Sequence, residues 1–397
     1  MKIIYFYQYF TTPEGSYGTR IYEFTKEWVA KGHDVTVVTS LYSKSDLRAD
    51  KFIENQVFDG VKVKVLNIKI DNKQSFFKRI FSFINYSIVS SWYALILPSD
   101  VVIASSGPIT VAIPALISKY IRRKKLIFEV RDLWPEVAIE LGVIKNKIVI
   151  KFAYWLEKKC YEASSLIVAL SPGMKSDIAN RFGKKNIISI TNSANIELFS
   201  KKYKFNNHEK ELYPLKYAIY TGNIGEVNNS YWLFNTAKIL TEMGREDIKI
   251  VLVGDGQQKK EIETKAKIAN LHNIIFLGLM SKKDLIPLIQ NAIASLVPLK
   301  DTKVLNTSSP NKFFESLAAG VPVIQNTQGW MKVFLEEHNV GFTLDPNCPD
   351  KLAEILINLI DNDSNYVNMR SKASEIARIH FDKKILASKM LDAIILS

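Results

Sequence analysis

The chain has little cysteine and little histidine, and neither residue is spaced for a metal site or a disulfide framework. Its 397 residues include two cysteines, Cys160 and Cys348, and five histidines scattered along the chain. Two distant cysteines without CxxC spacing argue for a reducing compartment. No histidine pair has the spacing of a zinc site, so we expect no metal requirement.

Several missing motifs exclude other classes of function. The sequence has no GxxxxGK[ST] phosphate loop, no HExxH motif and no GxSxG elbow. No stretch offers the roughly twenty apolar residues that cross a bilayer. The N-terminal residues 1–6 lack a signal-peptide pattern and are typical of a core strand. We therefore expect a cytoplasmic protein.

Basic residues outnumber acidic ones. Lysine and arginine total 53 against 40 for aspartate and glutamate, a net charge of +13. This excess favours polyanionic partners or an anionic membrane surface, although a solvated lysine-rich surface gives the same total. The length predicts about two domains, each large enough for its own core.

Apolar runs and helical periodicity alternate in the first half of the chain, which predicts a parallel sheet. A strand at residues 2–8 precedes a glycine-containing loop at residues 11–20. Gly15 and Gly18 suit close approach of a ligand to the backbone. Their spacing is not GxGxxG, and no acid follows at the ribose position, so dinucleotide binding is only weakly indicated.

A polar segment, Arg131-Asp-Leu-Trp-Pro-Glu136, directly follows a predicted buried strand. Ligands of open α/β sheets bind at the carboxyl ends of the strands. Asp132 and Glu136 are therefore candidates to orient or deprotonate a hydroxyl group. An ion pair with Arg131 is the alternative interpretation.

The helical stretch 75–97 combines many aromatic and aliphatic residues with Lys78 and Arg79. One interpretation is a helix packed in the core. The other is a surface helix that inserts aromatic side chains into a membrane interface. The basic cluster at residues 122–125 would support the second orientation.

In the second half, predicted strands repeatedly end in glycine-rich turns. Examples are Gly222-Asn-Ile-Gly225, Gly254-Asp-Gly256 and Gly278. Such loops converge on one edge of a parallel sheet, where backbone amides can hold the phosphates of a nucleotide. The polar segment 200–211 is the predicted linker between the two halves.

The stretch 305–324 predicts a loop, a helix that stops at Gly320 and a short strand. Ser308 or Ser309 can serve as N-cap, with Pro310 in the first turn. Lys312 places a cation at the positive end of the helix dipole, which makes sense if a phosphate binds there. Glu315 lies one turn further and suits sugar hydroxyls. An ordinary capped helix is the alternative.

Taken together, the order of motifs resembles the retaining nucleotide-sugar glycosyltransferases of the GT-B fold, glycosyltransferase family 4, over essentially the whole chain. The motifs are residues 131–136, 220–226, 254–256 and 309–323. The pattern is most similar to the branch with bacterial O-antigen and capsule transferases, some of which act on N-acetyl-fucosamine-type sugars.

The resemblance implies an α/β fold of two Rossmann-like domains that face each other across a cleft. Residues 1–199 would form the acceptor domain, and residues 212–382 the nucleotide-sugar donor domain. The C-terminal helix, residues 383–395, would pack back on the first domain.

The resemblance also implies roles for individual residues. Glu315 would hold the donor ribose, and Asp132 would face the acceptor. The helix start at Ser309, Pro310, Asn311 and Lys312 would stabilise the leaving diphosphate. The remaining donor-binding positions are Gly15, Gly18 and Arg20 in the first domain, and Gly222, Asn223, Gly225, Gly254, Gly256, Phe276 and Gly278 in the second.

Two positions depart from the family pattern. Thr307 stands where the family often has the first of two glutamates, eight residues before Glu315. The usual Arg/Lys pair after the diphosphate loop is replaced by residues 226–230. These departures bear on the identity of the sugar more than on the activity.

The expected activity is therefore transfer, with retained configuration, from a nucleoside-diphosphate sugar to a hydroxyl of a lipid-linked glycan. The donor would be UDP-linked, with an N-acetylated deoxy sugar as one candidate, and no cofactor or metal would be required. We expect peripheral association with the inner face of the plasma membrane and no nucleic-acid partner. The alternatives are a non-hydrolysing UDP-sugar 2-epimerase and, given Thr307, a catalytically silent sugar-nucleotide-binding protein.

Overall fold

The computed structural model describes residues 1–71, 74–183, 186–201, 203, 215–361 and 363–397. Two compact units make up the chain: Met1–Thr191 with Lys383–Ser397, and Asn192–Asp382. Residues 192–199, which the sequence analysis placed with the first domain, lie in the second unit, where Asn192 bonds to Ser309 and Ala194 to Phe381. Most of the predicted linker 200–211 lies outside the described residues.

The first unit is built on an eight-stranded sheet in the order β3-β4-β2-β1-β5-β6-β7-β8. Only the β3–β4 pair is antiparallel. Because β1 pairs with both β2 and β5, the chain reverses its winding between β1 and β5. The strands are β1 (Lys2–Phe6), β2 (Asp34–Tyr42), β3 (Ile53–Phe58), β4 (Val61–Ile70), β5 (Val101–Ser105), β6 (Lys125–Val130), β7 (Leu166–Ala169) and β8 (Ile187–Ser189).

Helices cover both faces of this sheet, as buried parallel strands require. They are α1 (Arg20–Ala30), α2 (Phe76–Ile96), α3 (Ala112–Arg122), α4 (Glu136–Glu140), α5 (Lys147–Ala163), α6 (Pro172–Phe182) and α15 (Lys383–Leu396).

Helix α15 packs against α1, so the predicted return of the last helix to the first domain is confirmed. The indole Nε1 of Trp28, which is fully buried, donates to the Ala387 carbonyl at 2.9 Å. Lys383 Nζ lies 2.5 Å from the Glu23 carboxylate. A buried hydrogen bond and a shielded ion pair therefore hold α15 to the unit that begins the chain.

The second unit contains a six-stranded, all-parallel sheet in the order β11-β10-β9-β12-β13-β14. Here the winding reverses between β9 and β12. The strands are β9 (Lys216–Thr221), β10 (Ile248–Val253), β11 (Ile274–Gly278), β12 (Ala294–Val297), β13 (Val323–Gln325) and β14 (Gly341–Thr343). The helices are α7 (Ile196–Ser200), α8 (Ser230–Glu242), α9 (Lys259–Ile268), α10 (Lys282–Asn291), α11 (Asn311–Ala318), α12 (Trp330–His338), α13 (Pro349–Asp361) and α14 (Asp363–His380).

The predicted two-domain α/β architecture is thus confirmed. In each sheet the loops after the two strands at the winding reversal lie beside each other, which is where open α/β sheets bind ligands. Among the residues that the structure covers, no helix is both long and apolar enough to cross a membrane.

Trp28→Phe tests the attachment of α15. The change removes the indole hydrogen bond and leaves a small void, so we expect the first unit to lose about 1–3 kcal/mol of stability. For a domain of this size that corresponds to about 2–4 °C in melting temperature per kcal/mol. The matched control is Trp155→Phe in the same unit, where the side chain is 52% exposed. Equal melting temperatures for the two variants would contradict this account.

Candidate active site

Two glycine loops of the second unit are in direct backbone contact. Gly222 follows β9 with φ +134°, and Gly254 follows β10 with φ +144°. A β-carbon on Gly254 would lie 1.8 Å from the Gly222 carbonyl oxygen, and one on Gly256 would lie 2.1 Å from that of Ile224. The Gly222 N–H donates to the Val253 carbonyl at 2.9 Å. Only glycine permits this approach.

The third predicted loop joins the same group. Gly278, at the end of β11, has φ +74°, and its carbonyl accepts from the Gly254 N–H at 2.7 Å. Phe276 is partly buried in the same strand. The Tyr220 hydroxyl donates to the Asn223 carbonyl at 2.5 Å, and the Gly225 N–H donates to Ser230 Oγ at 2.8 Å. The expected convergence of the loops is observed.

Lys312 lies over the Gly222 loop. Its Nζ is 4.0 Å from the centre of the Tyr220 ring and 3.2 Å from Asn228 Oδ1. A β-carbon on Gly222 would come within 3.3 Å of Nζ. Within the described residues Lys312 has no ion-pair partner, and its partial burial lowers the pKa of the ammonium group to about 7. The site therefore holds a poorly solvated cation with no counter-charge.

The start of helix α11 differs from the prediction. Pro310 occupies the N-cap position and no side chain caps the helix, so the expectation of a serine N-cap was wrong. Ser309 Oγ instead accepts from the Asn192 N–H at 3.3 Å, and Asn192 Nδ2 donates to the Ser309 carbonyl at 2.6 Å. The helix begins at Asn311, and Gly320 follows its end with φ +70°. An uncapped start leaves the positive end of the helix dipole directed toward Lys312 and its surroundings.

Glu315 has a partner that sequence reasoning did not identify. Its Oε1 lies 2.5 Å from Lys282 Nζ on α10, and both side chains are largely shielded. This ion pair fixes the position of the carboxylate. Its role toward ribose stays a prediction.

The loop before α11 is held in place by a local bond and by a segment about twenty residues further along the chain. Within the loop, Thr307 Oγ1 donates to the Val304 carbonyl at 2.7 Å. From the later segment, Trp330 Nε1 donates to the Ser308 carbonyl at 2.8 Å, and a β-carbon on Gly329 would lie 1.9 Å from the Asn306 carbonyl. No local pattern in the sequence reveals the contacts of Gly329 and Trp330, because they join separate segments.

Arg20 of the first unit is a structural residue in this molecule. The side chain is almost fully buried, and its Nε lies 2.9 Å from Glu129 Oε1. Its Nη2 donates to the Ile190 carbonyl at 3.0 Å, and its Nη1 donates to Thr191 O. The guanidinium thus has three hydrogen-bond partners within the unit, and contact of Arg20 with a donor stays a prediction.

The loop that contains Gly15 and Gly18 is held by Asp46. Its carboxylate accepts from the Thr11 hydroxyl at 2.8 Å, and from the Thr12 N–H and hydroxyl at 2.9 and 2.7 Å. A β-carbon on Gly15 would lie 2.1 Å from Thr11 Oγ1, so this glycine is required by packing within the loop. Contact of Gly15 and Gly18 with a donor stays a prediction.

Glu136 belongs to an ion-pair network. Its Oε1 lies 2.6 Å from Arg181 Nη1, and Arg181 also pairs with Glu157 and Asp177, both at 2.8 Å. A catalytic role for Glu136 is therefore not supported. The alternative interpretation, an ion pair of Glu136 with Arg131, was incorrect. The partner, Arg181, lies 45 residues further along the chain, and its approach depends on the tertiary fold.

Asp132 follows β6 and its side chain is open to solvent. Desolvation by the surrounding protein raises the pKa of its carboxyl, while the charge of Arg131 opposes the rise. Because the side chain is exposed, water offsets part of this effect. Asp132 is free to meet a ligand hydroxyl.

No cluster of three or more histidine, cysteine, aspartate or glutamate side chains suits a metal ion in the part of the chain that the structure describes. The absence of a metal requirement stays a prediction.

Both units match glycosyltransferase families. Residues 17–198 match the family described as Glycosyltransferase Family 4, and residues 203–379 match Glycosyl transferases group 1. The protein is therefore a glycosyltransferase, and its two α/β units have the GT-B fold.

Among curated proteins, the N-acetyl-alpha-D-glucosaminyl L-malate synthase of Bacillus anthracis is 26% identical over 159 residues. That match covers 38% of this chain and 38% of the relative, so it spans well under two thirds of the relative's length.

Solved structures agree over the whole chain. The sucrose-phosphate synthase of Thermosynechococcus elongatus has a TM-score of 0.73 at 13% identity and covers 99% of this chain and 98% of its own. Anabaena HepE in complex with UDP and glucose has a TM-score of 0.72 at 16% identity, with 100% of both chains covered. At these identities the similarity shows the fold.

Gly254→Ala tests the backbone contact between the loops. The new β-carbon must displace the Gly222 carbonyl, which adds about 1–3 kcal/mol of overpacking to the strain of a positive φ. Gly244→Ala is the matched control, because Gly244 has φ +71° but open space around it. Urea unfolding of the second unit should show a clearly larger loss for Gly254→Ala. Equal losses of stability in the two variants would mean that the loops can separate without a loss of folding free energy.

Proposed function

We propose that this protein is a retaining glycosyltransferase that moves a sugar from a UDP-linked donor to a hydroxyl of a lipid-linked glycan. The acceptor would belong to bacterial surface polysaccharide synthesis, of the capsule or O-antigen type. The observation that carries the donor assignment is Lys312, a partly buried cation without an ion-pair partner that lies on a glycine loop at the start of an uncapped helix.

A diphosphate supplies the charge that Lys312 lacks. Removing an ammonium group from water disfavours its charged form unless an anion is nearby. In the unliganded protein, this desolvation lowers the pKa of Lys312 to about 7. A bound diphosphate restores the charged form, and the N-terminal end of α11 adds its own attraction for anions.

The nucleoside is assigned from two lines of support. The Glu315–Lys282 pair offers a fixed carboxylate for ribose hydroxyls one turn beyond Lys312. Anabaena HepE, which shares the fold, forms complexes with UDP and with UDP-glucose. Thr307 in the place of the first acid leaves the sugar less defined, and an N-acetylated deoxy sugar fits the branch that the sequence resembles.

Retention follows if departure of the diphosphate and attack by the acceptor occur on the same face of the sugar. The transition state then carries positive charge on the sugar and negative charge on the leaving phosphate. Lys312 and the α11 dipole stabilise the latter, so we expect no metal requirement. The departing phosphate oxygen accepts the proton of the acceptor hydroxyl, and Asp132 orients that hydroxyl.

Lys312→Met should reduce transfer from a UDP-sugar at least 100-fold, because the change removes the cation nearest the diphosphate. The wild-type protein should also bind UDP less tightly as the pH rises above about 7, where free Lys312 loses its proton. Calorimetric titration of UDP between pH 6 and 9 measures this loss. By pH 7 the terminal phosphate, whose pKa is about 6, has already ionised.

The control is Lys267→Met, which removes an exposed lysine of the same unit. It should keep wild-type transfer and the same pH profile. The product's anomeric configuration, read by NMR, tests retention. Normal transfer by Lys312→Met would place the diphosphate elsewhere, and epimerised nucleotide sugar formed without acceptor would contradict a transferase.

A lipid-linked acceptor requires access to a membrane surface, and the first unit presents an apolar face that suits one. Helix α2 buries Tyr86, Ser90 and Ala94 and exposes an opposite apolar stripe, which supports the proposal of a membrane-facing surface helix. The stripe comprises Phe77, Phe81, Ile84, Ile88 and Trp92, which are 47–82% exposed. Their spacing of three or four residues places them on one side of the helix.

Helix α5 continues this face. Helix α3 packs against both α2 and α5, so the three lie in one layer over the sheet. On α5, Ile148, Phe152 and Trp155 are 80%, 51% and 52% exposed. Lysines and arginines lie along the same helices, at positions 78, 79, 119, 122, 147 and 151. Aromatic side chains beside basic ones favour an anionic bilayer as the partner.

Replacing Phe81 and Trp92 together with serine tests this surface. Each aromatic side chain contributes on the order of 1 kcal/mol or more when inserted into a bilayer. We expect the double variant to bind vesicles that contain phosphatidylglycerol at least tenfold more weakly, measured by sedimentation at low salt. The matched control is Ile268→Ser on α9 of the second unit, where the side chain is 78% exposed. Equal vesicle binding by both variants would exclude this face.

A further inference from the structure

Arg131 of the first unit has a buried guanidinium N–H group without a hydrogen-bond acceptor among the described residues. Its backbone N–H donates to Ser106 Oγ at 2.9 Å, and its guanidinium lies 5.2 Å from the centre of the Tyr7 ring. Its Nη1 is buried and makes no hydrogen bond. A buried donor without an acceptor costs about 1–3 kcal/mol, and arginine cannot lose its proton to avoid that cost. An acceptor from outside the chain is therefore indicated.

The buried acid nearest in sequence is already fully engaged. Glu129 accepts from Arg20 Nε at 2.9 Å, from the Tyr5 hydroxyl at 2.7 Å and from Ser105 Oγ at 2.5 Å. Glu129 thus lies within electrostatic range of both Arg20 and Arg131, but none of these hydrogen bonds comes from Arg131. Asp132 forms no ion pair with Arg131 among the described residues, although the two charges interact.

Further donors surround Arg131. Tyr9 packs between Tyr17, at 6.1 Å between ring centres, and Tyr42, at 5.0 Å. Arg79, in the first turn of α2, lies close enough to Tyr9 that its charge opposes the rise in the pKa of the Tyr9 hydroxyl that burial causes. Tyr17 lies within electrostatic range of Arg131. The two guanidinium groups and the phenolic hydroxyls thus come from the loop after β1, the start of α2 and the loop after β6.

The loop after β5 makes this arrangement possible. Ser105 and Ser106 bond to the two charged residues at the end of β6, and a β-carbon on Gly107 would lie 2.8 Å from the Tyr9 ring. Both loops of the winding reversal in the first sheet therefore serve to position Arg131 and Tyr9.

We infer that Arg131 is the centre of an oxyanion site that recognises a phosphate or carboxylate group of the acceptor. A guanidinium binds such groups with two parallel hydrogen bonds, which lysine cannot reproduce. The inference rests on the proposed transfer function, because that function defines the ligand as an acceptor. The residues of this site belong to the first unit, whereas Lys312 of the donor-phosphate site belongs to the second. Because Arg79 belongs to the helix whose apolar stripe begins at Phe77, the site suits an acceptor whose anionic group adjoins its lipid.

The test is calorimetric titration of the full chain with inorganic pyrophosphate in a Lys312→Met background, which removes the donor-phosphate cation. We expect binding to persist there and to be lost on adding Arg131→Gln. Arg131→Lys keeps the charge but not the planar fork, and should weaken binding about tenfold. It also serves if Arg131→Gln fails to fold. Arg48→Gln, an exposed arginine of the same unit, is the matched control and should bind as its parent does.

Parallel titrations identify the source of the anion. Tighter binding of geranyl diphosphate than of pyrophosphate assigns a lipid diphosphate, equal binding assigns a soluble phosphate group, and preference for succinate assigns a carboxylate. No binding in the Lys312→Met background, or binding unaffected by both Arg131 substitutions, would overturn the inference. Normal transfer by Lys312→Met, together with pyrophosphate binding that depends on Arg131, would instead count against the proposed function alone.

Discussion

Backbone-to-backbone contact between the glycine loops of the second unit is the constraint on which the candidate site depends. Gly278 accepts from Gly254, and Gly254 lies against the Gly222 carbonyl. These contacts fix the position of the Gly222 loop, and Lys312 Nζ lies next to that loop. A side chain at Gly254 would place its β-carbon 1.8 Å from the Gly222 carbonyl oxygen and would separate the two loops. The ligand site is therefore shaped by the absence of side chains as much as by the polar groups present.

Buried cations in this protein differ in whether acids balance them. Arg20 pairs with Glu129, and Arg181 pairs with three acids, so both serve the stability of the first unit. Lys312 and Arg131 lack ion pairs within the described chain and lie at the carboxyl ends of strands. Unbalanced charge at such positions disfavours the unliganded protein and favours anions, which supports the proposed roles of these two residues.

Much of the architecture could be predicted from the sequence, because strand length, helical periodicity and glycine turns are local signals. They located the loops at Gly222, Gly254 and Gly278 and the helix that carries Lys312. The errors concern long-range partners. The sequence indicates that Arg20 is a loop residue, whereas in the structure it pairs with Glu129. It also indicates that Glu136 is an unpaired acid or a partner of Arg131, whereas in the structure Glu136 pairs with Arg181 of α6. Lys282, Asp46 and Trp330 have no motif at all, since their roles arise only when distant segments meet.

The return of α15 to the first unit has a consequence for how the protein is made. Every residue of Asn192–Asp382 has been synthesised before the groove beside Trp28 receives the segment that fills it. Domains usually fold in the order in which they leave the ribosome. Here the second unit has its complete set of contacts first, whereas the first unit holds exposed apolar surface along α1 until residues 383–397 have emerged. The first unit, although it begins the chain, is the last to reach its final structure.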